Sequence, residues 1–364
     1  MTSTVARFEI GYSRSIDPTG MLVGPMPESL GAPAKLIALY RALIRTRALD
    51  AKAVALQRTG RLGTYASSLG QEAVSVGAAS AMRAEDVAVP SFREHGLLLW
   101  RGVTLLEFLL FWGGDERGNV FAVPREDFAI SVPVGSHAPH AIGAALAFKL
   151  RKEPRVTVCF FGDGGTSKGD VYEAFNIAGA WLLPVVFIIS NNQWAISVPR
   201  RAQSAAETLA QKAIAAGFPG TQVDGNDVVA MHGAAEAAIE RARRGEGPTL
   251  IEAVTYRLSD HTTADDASRY RDDAEVARHW QEEPTLRLRN YLTAAKLWSK
   301  EEEEALLHEL AAEIEAAADA YLKTPAQDPA TIFDYTYARL PADLLAQRTA
   351  ALAPLDATSP VGAG

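Results

Sequence analysis

Apolar residues recur at roughly helical spacing between Lys35 and Thr59, where Leu36, Leu39, Tyr40, Leu43, Ile44 and Leu49 share one face, so the pattern predicts a long helix. A shorter helix is expected from Gln71 to Met82 and a short strand over Val87 to Pro90. The pattern changes at Arg155 to Phe161, a β-branched and aromatic run between Pro154 and the loop GDGGTSKGD, which reads as a buried strand. Val171, Phe175, Ala178 and Leu182 then recur at spacings of four, three and four, predicting a helix that Pro184 ends. Val185 to Ser190 is a second apolar strand and leads directly into NNQWAIS. Strand, Gly-rich turn, helix and strand make a βαβ unit with parallel strands and a right-handed crossover. Both loops therefore open at the carboxyl edge of one sheet, where open α/β sheets take their ligands. Strands near Gln222 and over Thr249 to Tyr256, separated by an Ala-rich helix from Asp227 to Arg244, extend the same sheet.

The flanks read differently. Residues 1–33 carry Gly, Pro and Ser without a sustained period and are expected to form an extended arm over another surface, such as a partner subunit. Residues 34–295 form the α/β domain, a mostly parallel sheet covered by helices on both faces, and 296–364 a C-terminal helical segment and tail. In that segment Ser299 and Glu302 make a capping box, and Leu307, Leu310, Ile314, Ala317 and Tyr321 form a heptad-like stripe. The acidic run Glu301 to Glu304 suits the first turn of that helix, and the chain is expected to fray from about Leu352.

At 364 residues and 48% hydrophobic content, the chain can bury a large core. Its net charge of -8 is spread over both signs, which gives no basic field for nucleic acid or anionic lipid. The longest apolar stretch, Trp181 to Ile189, is broken by Pro184 and too short to span a bilayer, and MTSTVARFEIGYSRS has no signal-type apolar core. A cytoplasmic protein is expected. The single cysteine, Cys159, allows no internal disulfide or cysteine-based metal cluster, and its place in VTVCFF makes it a buried strand residue.

The two strand-end loops carry the chemistry. GDGG offers small residues and backbone N–H groups ahead of a helix N-terminus, suited to a phosphate, and Asp163 adds a hard oxygen ligand. Asn192 supplies a second oxygen and a nearby carbonyl a third, a set that suits magnesium carrying a diphosphate. A nucleotide P-loop is discounted because Lys168 is followed by Gly169 rather than Ser or Thr.

With these residues in view, GDG at Gly162 to Gly164 followed by a strand ending in Asn191-Asn192 resembles the thiamine-diphosphate motif. SFREHG, GSHAPHAIGAALAFK, FFGDGGTSKGDVYEAFNIAGAW, NNQWAIS, GPTLIEAVTYR and HTTADDASRYR resemble, in order, the alpha chain of two-subunit 2-oxo acid dehydrogenases, from about Leu36 to Leu340. The resemblance implies a thiamine-diphosphate-binding fold. It also implies that Asp163 and Asn192 ligate Mg2+ by side chains and Trp194 by its carbonyl, and that Arg93 grips the diphosphate. Gly162, Gly164 and Gly165 would line the cofactor site, and Phe92 stands where tyrosine is more usual, which removes a hydroxyl. Val134, flanked by Ser131 and Ser136, would make backbone contacts to the aminopyrimidine ring. His261 matches the active-site histidine, expected to steady or protonate intermediates and to assist acyl transfer. His95, His137 and His140 are weaker candidates, expected to be hydrogen-bonded structural residues. Thr262 lies where animal relatives carry a regulatory serine, and Arg269 and Arg271 are expected to order that loop. Ser190 stands where branched-chain members have a diphosphate-binding arginine, which argues for another subfamily.

In this chemistry thiamine diphosphate serves as electron sink for decarboxylation of a 2-oxo acid, and the acyl unit passes to a lipoyl group. The resemblance implies a separate beta subunit that supplies a glutamate, in a tetramer of two alpha and two beta chains, and a lipoyl-bearing dihydrolipoyl acyltransferase as partner. Pyruvate is the expected substrate, because HTTADDASRYR through LWSKEEEE and the GGTSKGD loop look closest to bacterial pyruvate dehydrogenases. A branched-chain 2-oxo acid and acetoin are alternatives, and a catalytically silent scaffold subunit is another.

Overall fold

A computed structural model describes residues 2–123, 125–334 and 336–356. Six strands form one sheet in the order β1-β7-β8-β4-β3-β2: β1 (Tyr12–Ser13), β2 (Val87–Val89), β3 (Thr157–Gly162), β4 (Val185–Asn191), β7 (Gly220–Asp224) and β8 (Thr249–Val254). Every pairing in it is parallel. Two-residue strands β5 (Trp194–Ala195) and β6 (Val198–Pro199) make a separate antiparallel pair just past the end of β4.

Strand side chains alternate between faces, and the core divides accordingly. Val89, Cys159, Phe161, Val185, Phe187 and Ile189 pack with the helices Ala138–Arg151 and Gly169–Ala180 on one face. Ala88, Val158, Phe160, Val186, Ile188 and Ile251 pack with Glu72–Ala81 and Val228–Arg243 on the other. Strands buried on both faces read as continuous apolar runs, which is why β3 and β4 stand out in the sequence. Cys159 is among them, buried and free.

The long first helix, Pro33–Arg58, carries its expected face inward, with Leu36, Leu39, Tyr40, Leu43 and Leu49 buried. The arm differs from expectation. Tyr12–Ser13 pairs with Gln222 and Val223 of β7, and Asp227 accepts the N–H groups of Ser15 and Ile16 at 2.6 Å each, so the arm completes this chain's own sheet. The C-terminal stripe also shifts: Leu306, Leu310, Ile314 and Ala318 are buried, a straight i, i+4 row, whereas Leu307 is exposed. The capping box is present, with Ser299 N–H donating to Glu302 at 2.7 Å and Glu302 N–H to Ser299 Oγ at 3.2 Å. Glu303 of the acidic run accepts from Tyr40 Oη and from Trp298 Nε1 at 2.7 Å, which ties that helix end to the first helix.

The chain divides into two compact units, Met1–Asp319 and Ala320–Gly364. The second contains a 3₁₀ turn at Pro329–Phe333 and a helix at Ala342–Asp356. Leu352 lies within that helix, and 357–364, most of the stretch expected to fray, lie outside the described residues. Among the described residues no helix is long and apolar enough to cross a membrane.

Phe187 is fully buried between Phe161, Phe175 and Phe218, with the nearest ring centroid 4.8 Å away. Phe187→Ala leaves a cavity under the strand that feeds the Asn pair. We expect a loss of about 3–5 kcal/mol, read as a lower urea midpoint.

Candidate active site

The parallel register aligns the ends of three strands: Gly162 pairs with Ser190, and Asn191 with Val254. Asp163 starts a 3₁₀ turn through Ser167, immediately before the helix Gly169–Ala180. Close approach favours glycine at two positions here. A Cβ on Gly164 would stand 3.0 Å from Ala195 Cβ, and one on Gly165 3.3 Å from Phe161 Cβ.

The two asparagines take opposite duties because neighbouring strand residues face opposite ways. Asn191 Nδ2 donates to buried Glu252 at 2.6 Å. The other carboxylate oxygen of Glu252 accepts from Leu209 N, Ala210 N and Gln222 Nε2, so it anchors β4, β7 and the 209–210 turn together. Asn192 instead lines the cavity, with Nδ2 donating to Gln71 Oε1 at 2.8 Å and Oδ1 accepting Trp194 N–H at 3.2 Å. Left-handed backbone at Gln193 (φ 72°) and Ile196 (φ 56°) turns the chain sharply on either side of Trp194. Non-glycine residues held there cost of order 1–3 kcal/mol, and such strain gathers at functional sites.

A cavity of ≈ 290 Å³ lies at this sheet edge. Every residue expected from the sequence lines it: Phe92, Arg93, Val134, Gly162, Asp163, Gly164, Gly165, Asn192, Trp194 and His261. Ser190 joins them, and Ser131 and Ser136 do not. Four buried polar atoms of the lining have no partner: Asp163 Oδ2, Glu94 Oε2, Gln71 Nε2 and Gln203 Oε1. Unpaired buried polar groups are costly, so their convergence on one cavity fits a polar occupant. Among the described residues no group of three or more His, Cys, Asp or Glu could hold a metal ion. One carboxylate, one amide oxygen and one carbonyl suit a hard cation only if a ligand brings further oxygens, as a magnesium-bound diphosphate does.

The charges are arranged to leave acceptors and donors free. Burial pushes the Asp163 carboxyl up to about 6 and that of Glu94 up to about 7. Arg93 donates from Nη1 to Ser67 O at 2.6 Å, and from Nη2 to His261 O at 2.5 Å and His261 Nδ1 at 2.9 Å. Burial, then the neighbouring Arg257, lowers Arg93 to about 10. Burial, then Arg93 and Arg257, pulls His261 down to about 4, so its ring is neutral at pH 7. With Nδ1 accepting from guanidinium donors, the ring proton belongs on Nε2. His261 thus presents a neutral N–H donor, its ring edge-on to Phe92 at 6.2 Å.

Arg257 was missed in the sequence, where it reads as the polar end of a strand. It is fully buried and donates to Ile196 O at 2.9 Å, Tyr270 Oη at 2.8 Å and Trp194 O at 3.4 Å, and approaches His261 Nδ1 at 3.3 Å. Tyr270 Oη in turn donates to Asp265, which accepts His261 N–H at 2.9 Å. Arg271 donates to the carbonyls of Arg257 and Leu258, whereas Arg269 is exposed and lies 3.9 Å from Asp266, so of these two arginines Arg271 is the one that helps to order the loop. Thr262 Oγ1 accepts from Ala264 N at 3.3 Å. Gln71, Glu94 and Gln203 were also missed, and GQEA and SFREHG were the only segments that could have signalled two of them.

The remaining histidines lie outside the cavity lining. His95 bridges Tyr65 Oη at 3.1 Å and Phe92 O at 3.1 Å, in a network centred on Asp50 that fixes the loop carrying Ser67. His137 Nε2 donates to Phe160 O at 2.5 Å, and His140 is exposed against Ser136 O at 3.2 Å.

The family model described as "Dehydrogenase E1 component" matches residues 40–330. The chain is 44% identical over 310 residues to "3-methyl-2-oxobutanoate dehydrogenase subunit alpha" of Mycobacterium tuberculosis, covering 85% of this chain and 84% of that one. It is 41% identical over 336 residues to "Pyruvate dehydrogenase E1 component subunit alpha" of Acholeplasma laidlawii, covering 91% and 96%. The chain of the same name from Staphylococcus aureus is 40% identical over 314 residues, covering 86% and 85%.

The orphaned Asp163 carboxylate is expected to weaken the ligand-free fold. Because its folded value is raised to about 6, its proton stabilises the fold fully below the unfolded value near 4, and that contribution is lost as pH rises through 6. Asp163→Asn should therefore raise the stability of the metal-free protein by about 3 kcal/mol at pH near 8, and by little at pH near 4. Urea unfolding at both pH values reads the difference, and equal gains at both would refute the assignment.

Proposed function

Because the chain belongs to the dehydrogenase E1 component family, we propose that it is the alpha subunit of a pyruvate dehydrogenase, acting on pyruvate with thiamine diphosphate and Mg2+. The observation that carries this reading is the convergence of Asp163, Asn192, Arg93 and His261 on one cavity at the carboxyl ends of β3 and β4. When bound, thiamine diphosphate supplies the electron sink for the carbanion left by carbon dioxide.

This chain's residues bind and polarise. Asp163 and Asn192 would hold the cation by side-chain oxygens and Trp194 by its carbonyl, a role consistent with the unpartnered Asp163 Oδ2. Backbone N–H groups of the glycine turn, and the N–H groups of Arg93 not used by Ser67 and His261, would bind the diphosphate. Phe92 contributes an apolar wall under Arg93, whose guanidinium lies 5.1 Å from the ring centroid, and the backbone at Val134 serves the aminopyrimidine ring. His261 would donate an Nε2–H hydrogen bond to oxygen that gains negative charge and would assist acyl transfer. A neutral donor suits that task, because it stabilises the charge without needing a stored proton.

The other half of the chemistry comes from outside this chain. A beta subunit supplies the glutamate that activates the aminopyrimidine, in a tetramer of two alpha and two beta chains. A lipoyl-bearing dihydrolipoyl acyltransferase receives the acyl group, in the cytoplasm. A branched-chain 2-oxo acid is the second reading, favoured by the 44% identical relative from M. tuberculosis.

Co-purified alpha and beta chains, with Mg2+ and thiamine diphosphate, should decarboxylate pyruvate with kcat/KM at least about tenfold above that for 3-methyl-2-oxobutanoate. The reverse preference would move the chain to the branched-chain group, and no turnover with either acid despite cofactor binding would favour acetoin or a silent scaffold. His261→Asn should lower acyl transfer to lipoyl groups about a hundredfold. The same assay with an artificial electron acceptor separates that loss from decarboxylation itself.

A further inference from the structure

One cavity residue has no duty in this scheme. Glu94 follows Arg93 directly, is 3% exposed and lines the cavity with Oε2 unpartnered. It stands at the N-cap of the helix His95–Trp100, yet its side chain makes no capping hydrogen bond. No ion pair includes it among the described residues. The charged and titratable groups around it are Arg93 on its own loop, Cys159 on β3, and Asp163, Lys168 and His261 in the cavity lining. The Arg93 guanidinium is already committed to Ser67 O and to His261. Arg93 is the counter-charge that acts on Glu94 and backbone N–H groups at Ser91 and Arg93 reach its carboxylate, yet Oε2 keeps no partner.

We propose that Glu94 is a proton-carrying positioning residue: on cofactor binding its carboxyl takes up a proton and donates a hydrogen bond to an acceptor atom of the cofactor. The inference rests on the cavity being the thiamine diphosphate site. The carboxylate is already out of reach of water, so an occupant that fills the cavity beside Oε2 leaves the ionised form uncompensated unless it gains a donor or a proton. The protonated form is within reach, since burial already holds this carboxyl near 7 in the ligand-free chain. Glu94 accordingly changes from a buried anion into a neutral donor, and cofactor affinity becomes coupled to pH.

The test is calorimetric titration of magnesium thiamine diphosphate into the alpha–beta complex at pH near 8, in two buffers of different ionisation enthalpy. The expected result is uptake of about 0.9 proton per cofactor bound, with Kd rising about fivefold between pH 7 and pH 8. Glu94→Gln, which keeps a neutral donor, should abolish the uptake and flatten the pH profile while holding Kd at pH 7 within a few-fold. His261→Asn should retain the uptake. Binding without proton uptake in the unsubstituted complex overturns the proposal whether or not the variants fold, and so does uptake that disappears with His261 rather than Glu94. Absence of any binding instead defeats the reading of the cavity itself.

Discussion

The site depends on strand register. With Gly162 opposite Ser190 and Asn191 opposite Val254, the ends of β3, β4 and β8 fall at one level, and Asp163 and Asn192 emerge beside each other into the same cavity. A slip of one residue in β4 would exchange the two asparagines, sending Asn192 toward the Glu252 anchor and Asn191 toward the cavity. The apolar faces forbid that slip, because it would carry Phe187 and Ile189 out of one core and Val186 and Ile188 out of the other. Hydrophobic packing well below the cavity thus fixes the placement of the Asp163 and Asn192 side chains.

Above that frame the cavity holds groups that would each destabilise an ordinary core. Two guanidiniums share His261, two carboxyls are buried with an unpartnered oxygen, and two non-glycine residues are left-handed. Neutral His261 resolves part of the conflict by accepting from both arginines, and backbone carbonyls of Ser67, Trp194, Ile196 and His261 take the other donors. What remains unsatisfied is acidic or amide oxygen and one amide donor, which is the complement of a cation with a polar organic ligand. Sites of this kind trade stability for binding, and the aromatic layer around Phe187 and the Glu252 anchor offset the cost.

The legible parts of the sequence were those where one short segment carries its own signal. The βαβ unit announced itself because strands buried on both faces are continuous apolar runs, and GDGG and NNQW follow each strand without a gap. The edge strand β1 was invisible, since two residues in a polar arm have no period and are ordered by distant partners, β7 and Asp227. The helix Ala138–Arg151 escaped notice because alanine and glycine blur its amphipathic face. The C-terminal stripe shifted by one residue at two places because its helix follows an i, i+4 row rather than a heptad, held by charge pairs such as Arg41 with Glu309 and Arg45 with Glu313. Arg257 illustrates the deeper limit: its partners Trp194, Ile196 and Tyr270 meet only after the fold is formed.

The cavity rim carries the argument one step further. Ile196 is 58% exposed and Val134 41%, and Val198 is exposed beside the same hairpin. Exposed apolar side chains gathered at a cavity mouth mark a surface suited to contact with another protein. The cavity also lacks a second ionised base of its own: Asp163 is assigned to the cation, His261 is neutral, and Glu94 is drawn toward its acid form. A covering surface that brings one ionisable carboxylate would supply both missing parts at once, and the proposed beta subunit is such a surface.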